Sequence, residues 1–181
     1  QAIGKENLPY LNNVIIAGNS IDSLPSLSAL LDQSSVELQA EQTCKDDSAF
    51  WLYSSGSTGF PKGCVHLHHD MVVCSELYAK ATLGVRENDR FFSVAKLFFA
   101  YGLGNAMTFP LSAGAQAVLL PERPTPERVF AMMREHRPTV FFGVPSLYAA
   151  LLGHTDLCAG LGSDRLRLCV SAGEHLPRPD V

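Results

Sequence analysis

Short apolar runs rich in β-branched and aromatic residues alternate along this chain with stretches whose apolar positions recur every three to four residues. The first pattern predicts strands and the second predicts helices. Residues 13–17 read as a strand, and residues 24–31 as a short helix capped by Ser26, with a polar connection over 32–47. Residues 49–54 and 64–68 are two further strand candidates. A helix follows from about Asp70 to Thr82, with Met71, Cys74 and Tyr78 beside Val73, Leu77 and Ala81 on a broad apolar face.

Downstream the alternation is regular. Residues 90–94 read as a strand and 100–111 as a helix carrying Gly102 and Gly104 in its first turns. Glycine weakens a helix unless something must approach the backbone closely, and a ligand is one such reason. A strand at 116–120 precedes Thr125-Pro126-Glu127, which offers a hydroxyl cap, a proline at the first helical position and an acid in the first turn. Val129, Phe130 and Met133 give that helix an inward face, and Pro138 ends it. A strand at 139–142, a helix at 145–152 and a strand at 166–170 complete four strand-to-helix units. The expected fold class is therefore α/β, a mainly parallel sheet with flanking helices.

The chain has 181 residues, 46% of them hydrophobic, which suffices for one domain with a sizeable core. It begins at Gln1 and stops at Val181, just after the motif-like Ser171-Ala172-Gly173-Glu174, and so reads as an internal segment of a longer protein. A net charge of -4 without any cluster of Lys and Arg argues against nucleic acid or a membrane surface as partner. The five cysteines are scattered without paired spacing, as expected of reduced thiols in a cytoplasmic protein.

Candidate chemistry centres on Tyr53-Ser-Ser-Gly-Ser-Thr-Gly-Phe-Pro-Lys-Gly63. Gly56 and Gly59 can adopt positive φ and turn successive N–H groups toward an anion, while Ser54, Ser55, Ser57 and Thr58 add hydroxyls and Lys62 a positive charge. A Ser/Gly-rich surface turn is the simpler alternative. A Walker A loop is excluded, because Gly63 follows Lys62 where that motif needs a hydroxyl.

This loop resembles the phosphate-binding loop of adenylate-forming enzymes, the superfamily of acyl- and aryl-CoA ligases, luciferases and peptide-synthetase adenylation domains. The resemblance implies that Ser54 to Gly59 and Lys62 grip the outer phosphates of ATP, with Lys62 serving the chemical step. The stretch from Ala95 to Asn105, with Phe-Phe-Gly-Val-Pro at 141–145 and Leu-Tyr-Ala-Ala-Leu-Leu at 147–152, is most similar to benzoate:CoA ligases. By that likeness Phe99, Ala100, Tyr101, Gly102 and Gly143 shape an aryl-acid pocket. Ser171, Ala172, Gly173 and Glu174 would run along the adenine and floor the acid site. Read from composition alone, the same aromatics fit core packing better than a pocket.

The implied reaction activates benzoate or a substituted benzoate with ATP and magnesium as an acyl-adenylate, then passes it to CoA with release of AMP and pyrophosphate. A fatty-acyl or other carboxylate adenylating enzyme, or a non-catalytic nucleotide-binding module, are the alternatives. The family's aromatic-Gly-x-Thr-Glu and Thr-Gly-Asp motifs and its C-terminal domain with the catalytic lysine are absent from these 181 residues. The segment thus reads as part of the N-terminal ATP- and acid-binding domain and is expected to be inactive alone.

Two other features invite chemistry. Cys64, His66, His68, His69 and Cys74 lie close in sequence, but their spacing fits no common zinc finger, and polar residues leading into a helix account for them as well. No metal site is expected. Lys96, in an apolar stretch, must pair, snorkel or serve a ligand.

Overall fold

The structure is a computed structural model that describes residues 10–18, 24–55, 59–154 and 160–175. The chain divides into two compact units, Gln1–Gln42 and Thr43–Val181. In the first, helix α1 (Leu27–Gln33) begins where the sequence predicts, with the Ser26 hydroxyl accepting from the Ala29 N–H at 3.2 Å. The predicted strand at 13–17 does not form. Among the described residues only Ile16 makes a bridge, to Ser26, and no neighbouring strand takes up the remaining backbone groups.

The second unit starts with an antiparallel hairpin, β1 (Ser48–Ser54) and β2 (Lys62–Leu67). Helix α2 (His68–Cys74) follows and widens into a π-helical turn over Ser75–Lys80. Its buried residues are Ser75 and Ala79, whereas Val72, Val73 and Leu77 are exposed, so the predicted broad apolar face is not the one that packs. The wide turn rotates the helix away from the 3.6-residue stripe, and small side chains face inward. Beside them Tyr78 meets the Phe109 ring at 5.7 Å.

The main sheet contains β3 (Arg90–Ser93), β4 (Gln116–Leu119), β5 (Val140–Gly143) and β6 (Leu168–Ser171), all parallel, in the order β4-β3-β5-β6. Phe91, Phe92, Phe141 and Phe142 are at most 1% exposed, the near-continuous apolar run of strands covered on both faces. Helices α5 (Pro126–His136) and α6 (Pro145–Leu152) cover one face through Val129, Phe130, Met133, Leu147 and Leu151. The other face packs on Ala79 and on the helical run α3 (Ala100–Leu103), a π-helical turn Gly104–Thr108, and α4 (Phe109–Ala113), through Tyr101 and Phe109. The predicted helix at 100–111 therefore exists, with a π-helical middle. The predicted start of α5 is also in place, since the Thr125 hydroxyl accepts from the Arg128 N–H at 3.4 Å.

At the amino ends of the strands one carboxylate ties the sheet together. Asp89, 3% exposed, accepts from the Arg86 N–H at 2.8 Å, from the Thr139 hydroxyl at 2.7 Å and from Arg167 Nε at 2.9 Å. These contacts join the residues that lead into β3, β5 and β6.

Candidate active site

The connections place a crevice at the carboxyl ends of β3 and β5. From β3 the chain leaves onto the face of α3 and α4 and goes outward to β4, whereas from β5 it leaves onto the face of α6 and goes the other way to β6. Neighbouring strands whose connections diverge leave a gap between their outgoing loops, the usual ligand position in open α/β sheets. The loops there are 94–99 and 143–145, followed by Ala100 and the start of α6.

Tyr101 crosses this end of the sheet. Its hydroxyl lies 3.1 Å from the Gly143 carbonyl and 3.2 Å from the Val170 carbonyl, donating to them. Burial, helped by Tyr78, pushes the hydroxyl well above the ordinary tyrosine range, so it remains a donor at any working pH. Three distant segments thus meet around one phenol: Tyr101, Gly143, and Val170 with the adjoining Ser171. Phe99 precedes α3, is 56% exposed and packs on Phe98 at 4.5 Å instead of joining this cluster. Ala100 is exposed, while Ala172, Gly173 and Glu174 continue from β6 as irregular chain, with Gly173 at φ +92° beside Val144.

Among the described residues three buried polar atoms have no hydrogen-bond partner: Ser93 Oγ, Asn105 Nδ2 and Ser171 Oγ. Ser93 and Ser171 end β3 and β6, and Asn105 lies one turn beyond Tyr101 on the same helical run. Buried groups of this kind require a partner, so the carboxyl end of the sheet is where a polar ligand or ordered water fits. Sequence reading did not single out Ser93 or Asn105, because nothing in their local pattern separates an orphaned side chain from a paired one.

The glycine at 102 has a protein reason. A Cβ there would lie 2.1 Å from the Lys96 carbonyl oxygen and 2.6 Å from that of Ala95, so the first turn of α3 rests directly on the backbone of the β3 loop. Gly102→Ala is expected to lower stability by about 2 kcal/mol, seen as a lower urea midpoint. Lys96 is likewise occupied within the protein. Its ammonium donates to the Leu120 carbonyl and, at 2.7 Å, to the Glu122 carbonyl, pinning the β3 loop to the β4 loop.

The serine- and glycine-rich loop forms the tip of the β1–β2 hairpin. Ser54 and Lys62 are the last paired residues and stand opposite one another, with both side chains on the face that carries Cys64 and His66. Lys62 is exposed, and Gly59 has φ +86°, the left-handed conformation the sequence predicts there. Ser55 follows β1 outside regular secondary structure, whereas Gly56, Ser57 and Thr58 lie outside the described residues. Among the described residues no hydrogen bond or ring contact joins this tip to the crevice.

The histidines after the loop have local partners. His66 stacks on Phe50 at 5.0 Å and lies 3.3 Å from Asp70, and His69 lies 3.1 Å from Asp46 and 3.2 Å from Asp70. Asp70 also accepts from the Leu67 N–H at 3.0 Å, capping α2, and that bond with the neighbouring histidines holds its carboxyl below the usual range. His68 begins the helix, so Cys64 and His66 share a strand face without it. Among the described residues no three His, Cys, Asp or Glu side chains gather as metal ligands.

A cavity of about 600 Å³ lies elsewhere, at the amino end of the sheet, between Arg134, Arg137, Gly160, Gly162, Ser163 and Asp164. The ion pair of Arg137 with Asp164 at 2.5 Å closes its charge locally, and none of the candidate site residues lines it. Among the described residues no helix is long and apolar enough to cross a membrane.

Known proteins are similar to this chain in sequence and fold. Benzoate–CoA ligase of Thauera aromatica is 54% identical over 170 residues, which cover 94% of this chain and 32% of that protein. The crystal structure of a benzoate CoA ligase from Burkholderia xenovorans LB400 superposes with a TM-score of 0.78 at 50% identity, over 91% of this chain and 32% of that one. The anthranilate CoA ligase AuaEII, solved in complex with anthranoyl-AMP, gives a TM-score of 0.86 at 36% identity, over 96% of this chain and 34% of that one. The chain spans about a third of the length of these relatives. The family model described as AMP-binding enzyme matches residues 5–181, and the chain belongs to that family.

Proposed function

We propose that this chain is the ATP- and acid-gripping part of an AMP-forming aryl-CoA ligase acting on benzoate or a ring-substituted benzoate in the cytoplasm. The observation that carries the reading is the crevice at the carboxyl ends of β3 and β5. There Tyr101, Gly143 and the end of β6 converge, and buried polar groups have no partner among the described residues. The 54% identity to a benzoate–CoA ligase supports an aryl acid as occupant.

In this reading a carboxylate oxygen of the acid attacks the α-phosphorus of ATP. The new O–P bond forms as the bond to pyrophosphate breaks, giving an aryl-adenylate. The CoA thiol then loses its proton and attacks the acyl carbon, and AMP departs. Ser54, Ser55, Gly56, Ser57, Thr58 and Gly59 with Lys62 hold the outer phosphates, where positioning and charge neutralisation supply most of the rate. Phe99, Ala100, Tyr101, Gly102 and Gly143 bound the ring, and Ser171 to Glu174 lie along adenine and acid. Magnesium would accompany ATP, and the described residues alone offer no group of three carboxylate, imidazole or thiol ligands for it.

The test is carboxylate-dependent exchange of labelled pyrophosphate into ATP by the full-length polypeptide carrying this segment. Benzoate, its hydroxy and amino derivatives and medium-chain fatty acids would be compared. Exchange restricted to aryl acids is the expected result. Exchange with fatty acids instead would replace the substrate, and ATP binding without exchange would leave a nucleotide-binding module.

A further inference from the structure

One side chain outside the proposed pocket is built into the same end of the sheet. Tyr148, on the first turn of α6, sends its hydroxyl to the Val170 carbonyl at 3.0 Å. Tyr101 donates to that carbonyl from the opposite face, at 3.2 Å. Tyr148 packs on the α5–α6 side with its ring 5.6 Å from Phe141, and Tyr101 packs on the α3–α4 side against Phe142 at 6.3 Å. A carbonyl oxygen has two lone pairs, so one phenol can occupy each. Burial, with Cys169 and Tyr101 nearby, pushes the Tyr148 hydroxyl above the ordinary range, so it too stays a donor.

The glycine at 143 belongs to this arrangement. A Cβ there would lie 2.9 Å from the Tyr148 ring and 3.3 Å from the Phe141 ring, so the absent side chain makes room for the tyrosine. Among the described residues β6 is hydrogen-bonded to β5 alone, and Val170 is its penultimate residue. The last ladder pair joins Gly143 to Ser171, so the Val170 carbonyl held by the two phenols lies where residues 172–174 leave the sheet.

We propose that Tyr148 is a positioning residue for the adenylation step: with Tyr101 it clasps the Val170 carbonyl from both faces of the sheet and so sets the course of residues 171–174. The proposal rests on the ligase reading, in which those residues lie along adenine and acid. A floor of this kind contacts substrate and transition state alike, so its displacement weakens binding without slowing the bound complex.

The experiment uses the full-length polypeptide with Tyr148→Phe, which keeps the ring and its packing and removes only the hydroxyl. The expected result in pyrophosphate exchange is a KM for ATP and for the aryl acid raised about three- to tenfold, with kcat within about twofold, matching loss of one hydrogen bond. Amides from Ser171 to Glu174 should exchange hydrogen faster than in the wild type, with α5 unchanged. A purely structural tyrosine would lower the active fraction and kcat and leave KM alone. Wild-type exchange with unaltered KM in Tyr148→Phe overturns this proposal and spares the ligase reading. Absence of exchange in the wild type with every acid overturns the ligase reading, and this proposal falls with it.

Discussion

Asp89→Ala is expected to lower the unfolding free energy of the domain by about 3 kcal/mol, the low end for removing one partner of a buried ion pair. The low end applies because Asp89 is 3% exposed while the Arg167 side chain is 37% exposed, and water screens that partner. The substitution leaves the Thr139 hydroxyl, the Arg86 N–H and the Arg167 guanidinium without their shared acceptor. Thr139 in turn accepts from the Arg90 N–H at 2.9 Å, so the loss reaches the first hydrogen bonds of β3 and β5. A domain of this size should melt roughly 6–12 °C lower, which calorimetry on wild type and variant would read. A change below about 2 °C would show that the three groups find water at no cost.

The same carboxylate fixes the sign of a pH effect. Burial by itself raises the Asp89 carboxyl, but hydrogen bonds from Arg167, Thr139 and the Arg86 N–H together hold it below its ordinary value. Its folded value therefore lies under the unfolded value of about 3.9. The resulting stabilisation is fully present above that pH and is lost as pH falls through the lower folded value. Asp89→Asn removes the titrating group, so its stability should start lower at pH 7 and decline less between about pH 4 and pH 2. Urea midpoints across that range would show the two curves converging.

Lys62→Ala is expected to lower the rate of pyrophosphate exchange about a hundredfold in the full-length polypeptide, the scale for removing one preorganised charge from a phosphate site. Lys62 is exposed at the start of β2, and its side chain makes no hydrogen bond among the described residues, so folding should not change. An intact melting curve with the rate loss would assign the effect to the phosphates. Lys62→Arg keeps the charge but not the compact ammonium, and should recover only part of the rate. Exchange within about threefold of wild type in Lys62→Ala would remove this lysine from the chemistry.

The sequence by itself determined what depends on neighbours along the chain. The caps at Ser26 and Thr125, the alternation that makes β3, β5 and their crossover helices, and the positive φ at Gly59 are all local properties of short segments. The parallel order followed from the helical crossovers, which leave few other topologies. The loop at 53–63 and its likeness to adenylate-forming enzymes were legible for the same reason, since phosphate is held by consecutive backbone and hydroxyl groups.

Only the tertiary structure decided who meets whom. Periodicity assigned Val73 and Leu77 to a buried face, yet a π-helical turn put Ser75 and Ala79 there. The glycine at 102 admits the Lys96 carbonyl and the glycine at 143 admits the Tyr148 ring, contacts that spacing cannot reveal. Asp89 finds Thr139 and Arg167 across 50 and 78 residues, and Tyr101 finds Val170 across 69. Such pairings carry no local signature, because the free energy that favours them arises only when folding removes water and brings distant strand ends to within hydrogen-bond distance.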